Sequence, residues 1–216
     1  EGGSTFNHNM TMMLDGVTGI EHNIPIAPLY RDVIETWRQT DVRNTPTLIV
    51  NYGGVNGEFY WYGHTNAWED KKLNHFFPQQ ALDARSIRRE IGPEWDYYHV
   101  EVAKAAKKMR DAGIRIQVGG HGQLQGLGTV WEMWMLTQGG MTPWEALRAG
   151  TIDGADYIGY SQDLGSLEAG KRADLVIVNT QPATYLQDLQ DRLLSIVNTW
   201  SDQMWIDKMG GVFLRR

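Results

Sequence analysis

Two histidines stand where a β-prone run gives way to a loop, and their positions suit chemistry better than packing. His121 follows Arg115-Ile116-Gln117-Val118-Gly119-Gly120 and opens a glycine-rich stretch through Gly128. His22 ends the run Val17-Thr18-Gly19-Ile20-Glu21. An imidazole can bind a metal as a neutral ligand or move a proton near neutral pH. Neighbouring glycines let the backbone turn sharply and leave room for a ligand. In parallel α/β folds the strands deliver such residues to one carboxyl-end face, where two imidazoles can reach a common cation. The bland alternative for His121 is a turn with an exposed ring. His8 and His99 fall in predicted helices, and His64 and His75 in a predicted loop, where structural or solvent-facing roles are expected.

The elements that must carry these residues can be read from periodicity. A Met-rich helical segment, Asn9 to Leu14, precedes the first strand, and Pro25 and Pro28 break the chain after it. Tyr30 to Gln39 has helical spacing, with Val33, Ile34 and Trp37 on one face. Thr47-Leu48-Ile49-Val50 reads as a strand buried on both faces, followed by a long aromatic and glycine-rich loop from Asn51 to about Phe77. Asp96 to Ala112 reads as a helix stopped by Gly113, on the spacing of Val100, Ala103, Lys107 and Met109. The Ile114 to Val118 strand comes next, then a helix over Thr129 to Thr137. Thr142-Pro143-Trp144-Glu145 is a capping box with proline at the first helical position. Alternating strand and helix favours a parallel sheet. From about Tyr160 the character changes. Strands are expected at Ala173 to Val178, Gln203 to Asp207 and Val212 to Leu214, with Leu193 to Val197 helix or strand and a hairpin turn at Gly210-Gly211. The expected division is therefore 1–160 and 161–216.

Composition narrows the function classes. A net charge of −6 with scattered basic residues gives no footprint for nucleic acid or an anionic membrane surface. No run approaches the roughly 18 apolar residues of a membrane-spanning helix. With no cysteine, only His, Asp and Glu are left as plausible metal ligands. The chain opens on Glu-Gly-Gly-Ser without an initiator methionine, and is expected to be a processed or cut piece of something longer.

Several of these segments are similar to one family. Gly19-Ile20-Glu21-His22 resembles the end of the sixth strand in metal-dependent hydrolases of the amidohydrolase superfamily. Trp131 to Leu136 and Gly140 to Ala149 are similar to the segment after the eighth strand there. Leu164-Gly165-Ser166-Leu167-Glu168-Ala169-Gly170-Lys171-Arg172-Ala173-Asp174-Leu175-Val176-Ile177-Val178 is the most specific match, resembling the exit from the barrel into a small β-sandwich. The imidazolonepropionase and prolidase-like branch, including members fused behind a β-propeller, is the nearest in character. The resemblance implies an α/β fold, the C-terminal portion of a (β/α)8 TIM-like barrel followed by part of a small β-sandwich. It also implies one or two divalent metal ions, zinc first among them, and an extracytoplasmic home. Metal-activated water would attack an amide, peptide or cyclic-amide carbonyl of a small-molecule or peptide substrate.

By that resemblance His22 is a metal ligand. Where the family's eighth strand ends in an aspartate that serves as ligand and base, this chain reads Gly119-Gly120-His121, so His121 is the candidate catalytic residue and second ligand. Glu1 falls near the fifth-strand ligand position and is the third candidate ligand. Tyr52, Glu58, Tyr60 and Trp61, with Gln123 and Gln125, are candidate substrate contacts. About three of eight barrel strands are found here. An open barrel piece leaves a strand edge unpaired, so an upstream segment of the same protein or a second chain is expected to close it, with a homo-oligomer left open. Two other readings stand beside the hydrolase: a non-catalytic relative that binds a ligand or partner in the same pocket, and a scaffold piece.

Overall fold

A computed structural model describes residues 2–87, 89–124 and 127–175. Helix α1 (Phe6–Leu14) leads into strand β1 (Gly19–Glu21), and α2 (Arg31–Trp37) leads into strand β2 (Arg43–Thr45). The two strands are parallel, with Ile20 opposite Asn44. A third segment joins the far side of β2 through a parallel bridge between Asn44 and Ile116. There Asn44 N–H donates to Arg115 (3.1 Å) and Gln117 N–H donates to the Asn44 carbonyl (3.0 Å). The Asn44 side chain also reaches across β1, donating to the Ile20 and His22 carbonyls at 2.9 Å each. One buried asparagine thus stitches three neighbouring segments together.

The expected strand at Thr47 to Val50 is not a strand. Pro46 has no N–H to give a ladder, Thr47 is left-handed (φ 52°), and Leu48–Val50 forms a 3-10 turn. Leu48 and Ile49 are fully buried, as read from sequence, but the strand ends earlier, at Thr45. The expected loop over 51–77 is also mostly helical: α3 (Gly57–His64) and α4 (Lys71–Phe76), followed by α5 (Gln79–Ser86). The reason is a buried face at residues 57, 58, 61 and 62, where Trp61 packs against Trp131 and Trp134 with ring centroids 6.0 and 4.9 Å apart. His64 and His75 accordingly lie on helices.

Helix α6 (His99–Asp111) buries His99, Val102, Ala103, Ala105, Ala106 and Met109. Val100 and Lys107 lie at its half-buried margin rather than in its core face. Its end matches the expected stop: Gly113 is left-handed, Gly113 N–H donates to Arg110 and Ile114 N–H to Met109. Helix α7 (Leu127–Gln138) is apolar on nearly every side and runs through the core. Gly139, just past it, lies so close to Ala103 that a Cβ there would sit 2.3 Å from the Ala103 carbonyl carbon. Helix α8 (Pro143–Ala149) carries the capping box as read, Glu145 N–H donating to Thr142 Oγ1 (3.2 Å) and Thr142 N–H to Glu145 Oε2 (2.7 Å). Helix α9 (Ile152–Tyr157) comes next. Residues 173–175 have no regular structure. The rest of the expected 173–178 strand and the later strand and turn expectations lie outside the described residues.

Candidate functional site

The strand ends open onto a cleft of about 250 Å³ lined by Glu21, His22, Thr47, Gly119 and His121. His22 and His121 meet there, ring centroids 5.1 Å apart and steeply inclined at 67°. His22 is nearly buried and His121 exposed, so the pair spans the wall and the lip of the cleft. Tyr52 also approaches His22, at 5.3 Å between centroids. Asn23 holds it there: its Oδ1 accepts from Tyr52 N–H (2.8 Å) and its Nδ2 donates to the Tyr52 carbonyl (3.2 Å).

Backbone conformation marks the same place. Among the described residues, the non-glycine positions with left-handed φ are His22 (67°), Thr47 (52°), His121 (51°) and Leu124 (43°). The first three line the cleft. Such conformations are uncommon outside glycine, and they cluster where a site over-determines its backbone. Gly119 is required for a different reason: a Cβ there would lie 2.5 Å from Thr47 Oγ1 and 2.7 Å from Thr45 Cγ2. The glycine lets the His121 segment close against the turn after β2.

Behind that turn is a residue that sequence reasoning did not single out for a role. Glu132, completely buried on α7, accepts N–H bonds from Leu48 (2.7 Å) and Ile49 (2.9 Å), and from Gly119. One carboxyl group ties the turn after β2 to the segment that carries His121. Burial pushes it up to about 8, against the pull of its three amide donors. Its signal in the sequence was a single acid inside the apolar run Val130 to Leu136. Asn23 and Asn44 carried no such signal, and neither did Arg85.

The other candidates divide. Glu58 is buried, ion-paired with Arg85 (3.2 Å), and burial raises its carboxyl pKa while the Arg85 charge opposes the rise. Gln123 lies between this pair and His121. Tyr60 is elsewhere: it stacks on His64 (4.0 Å) beside Tyr97 and His99. Trp61 belongs to the aromatic core. Glu1 and Gln125 lie outside the described residues. Glu21 lines the cleft, but its carboxylate accepts a hydrogen bond from Tyr157, whose own pKa burial and Glu21 raise to about 12.

Imidazole beside carboxylate is a donor chemistry that suits a divalent ion. Among the described residues, however, no three His, Asp or Glu side chains are grouped closely enough to hold one.

Residues 86–209, more than half of the chain, match the model of the amidohydrolase family. A 5'-deoxyadenosine deaminase of Methanobrevibacter smithii is 43% identical over 54 residues, covering 25% of this chain and 12% of that protein. An imidazolonepropionase of Geobacillus thermodenitrificans is 57% identical over 47 residues, covering 22% of this chain and 11% of that protein. Among solved structures, a Xaa-Pro dipeptidase with bound methionine in its active site superposes with a TM-score of 0.57 at 20% identity, over 86% of this chain and 39% of that one. The described structure is thus a mostly helical α/β segment matching part of an amidohydrolase chain, and it spans well under half the length of each of these relatives.

Proposed function

Because this chain belongs to the amidohydrolase family, we propose that it forms part of a metal-dependent hydrolase of amide, peptide or cyclic-amide bonds. The observation that carries the proposal is the meeting of His22 and His121 at the strand-end cleft, 5.1 Å between centroids. His22 is the proposed ligand of a divalent ion, zinc first, and His121 the proposed group at the substrate side. When bound, such an ion lowers the pKa of water to about 7 and polarises a carbonyl. The remaining ligands and the missing barrel strands come, in this proposal, from another segment of the same protein or from a second chain. The division at residue 160 is kept as part of the same reading.

This chain's own contribution is a preset wall. Asn44 fixes the His22 carbonyl, Asn23 fixes Tyr52 beside the His22 ring, and Glu132 fixes the turn that carries Thr47. Tyr52 thus stands beside the His22 ring, 5.3 Å between centroids. Groups held this way need little rearrangement when charge develops on a substrate, and that is where most electrostatic catalysis originates.

The test is metal content and amidase or peptidase activity of the full-length protein, with His22→Ala as the comparison. Stoichiometric metal in the parent, with metal and activity both lost in the variant, is the expected result. A parent that is metal-free and inert overturns the reading in favour of a non-catalytic ligand-binding relative.

A further inference from the structure

Beside His121 three side chains from three elements form a continuous chain. Glu58 on α3 accepts from Arg85 Nη1 on α5 at 3.2 Å. The same Arg85 nitrogen lies 3.1 Å from one end of the Gln123 amide, whose other end lies 3.1 Å from His121 Nδ1 and 3.0 Å from the His121 carbonyl oxygen. One orientation of the amide satisfies these neighbours better, because the other offers its oxygen only His121 Nδ1 (3.1 Å) and its nitrogen only a long contact to Glu58 Oε1 (3.4 Å). With its nitrogen toward His121, it donates to both the carbonyl oxygen and Nδ1, while its oxygen accepts from Arg85. The reverse would set oxygen against oxygen and nitrogen against guanidinium. A neutral imidazole whose Nδ1 accepts a hydrogen bond carries its proton on Nε2.

We propose that Gln123, backed by Arg85 and Glu58, fixes His121 as the Nε2–H tautomer, so that His121 offers the cleft an N–H donor for a substrate oxygen and is not a metal ligand. Nδ1 is already engaged, and a protonated Nε2 has no lone pair for a cation. Its natural partner is a carbonyl oxygen that gains negative charge during attack, the group such donors stabilise best. Gln123, Arg85 and Glu58 are positioning residues, and His121 is the catalytic one. The identity of that oxygen rests on the hydrolase reading; the tautomer does not. The assignment replaces the sequence expectation of His121 as a second ligand.

Nitrogen-resolved NMR of histidine-labelled full-length protein, without added metal and in mildly alkaline buffer, reads the tautomer directly. The expected result is a His121 proton on Nε2, moved to Nδ1 in Gln123→Glu, which places an acceptor-only group against that nitrogen. A parent proton on Nδ1 overturns the proposal, and so does a Gln123→Glu spectrum that keeps it on Nε2. Calorimetric titration with zinc alone separates the two readings. His121→Ala should leave zinc affinity within about threefold of the parent while lowering kcat roughly 10²–10³-fold, the usual cost of losing such a donor. His22→Ala should weaken zinc by more than the roughly 10–100-fold that loss of an outer partner costs. A zinc loss of that size in His121→Ala refutes the donor role. An unchanged zinc affinity in His22→Ala refutes the hydrolase reading and leaves the NMR result standing.

Discussion

Replacing Glu132 by alanine strips the acceptor from the Leu48, Ile49 and Gly119 amides at once. Each buried donor left without a partner costs about 1–3 kcal/mol. The three share one acceptor, and water can enter part of the space the carboxyl vacates, so the losses will not add in full. A total of about 3–5 kcal/mol is expected, against a whole-domain stability of about 5–15 kcal/mol. At about 2–4 °C per kcal/mol for a chain of this size, that corresponds to a Tm drop of roughly 6–20 °C. Glu132→Gln keeps one acceptor oxygen but turns an NH2 toward an N–H, and should lose less, about 1–3 kcal/mol. Urea unfolding monitored by tryptophan fluorescence measures both. The pH dependence adds an independent check. The folded carboxyl is raised to about 8 from an ordinary 4.5, so the folded state holds a proton that the unfolded chain releases. The contribution of Glu132 to stability is therefore greatest below about 4.5 and falls as pH rises toward 8, and the advantage of the parent over Glu132→Gln should shrink across that window. A loss under about 1 kcal/mol in Glu132→Ala would refute the claim that this carboxyl holds the cleft wall.

Three further outcomes are expected. Gly119→Ala drives a methyl group to within 2.5 Å of Thr47 Oγ1; about 1–3 kcal/mol of stability should go with the displaced wall, and parent-like unfolding would contradict the packing described. His99 is buried and neutral, its pKa held down to about 4 by desolvation against an ordinary 6.5. The unfolded chain takes up a proton that the folded one refuses, so stability present above 6.5 is lost as pH falls toward 4, by up to about 3 kcal/mol; a His99→Gln unfolding series that keeps the same acid slope would refute this. Thr142→Ala removes the cap of α8 and should cost about 1 kcal/mol, measured by thermal unfolding, with no change meaning that the box does not hold the helix in solution.

One physical division separates the features legible in the sequence from those it conceals. The Thr142 box and the Gly113 stop depend on residues within one or two turns of each other and the structure has them as read, while α6 is present but starts three residues later and buries a face turned away from Val100 and Lys107. His22 and His121 are visible because a β-prone run precedes each and glycines flank His121, although the expected Ile114–Val118 strand amounts to a single bridge at Ile116. Thr47 to Val50 reads wrongly as a strand because burial alone does not separate a core strand from a core turn, and the deciding group is Glu132, more than eighty residues later in the chain. The helical face of α3 is hidden because glycines and aromatics look like loop composition, while the Trp131 and Trp134 rings that order it lie far along the sequence. Asn23, Asn44 and Arg85 position the cleft through partners that no local pattern announces.

The left-handed residues at the cleft connect these points. A non-glycine residue in that conformation costs on the order of 1–3 kcal/mol unless its surroundings over-determine it, and Thr47, β-branched, is the least suited of the three. Each of them has an anchor matched to it: Asn44 on the His22 carbonyl, Glu132 on the two amides after Thr47, and Gln123 on both the carbonyl and the ring of His121. The anchors are polar groups drawn from separate elements, and two of them, Asn44 and Glu132, are fully buried. An apolar replacement of comparable volume at either position would keep the core filled while releasing the strain at the cleft. The wall should then relax toward ordinary backbone conformations and the two imidazoles should part, with modest change in overall fold. Three strained residues lining one cleft cost stability that folding alone does not call for, and the proposed role of holding two imidazoles at a fixed distance gives that cost a reason.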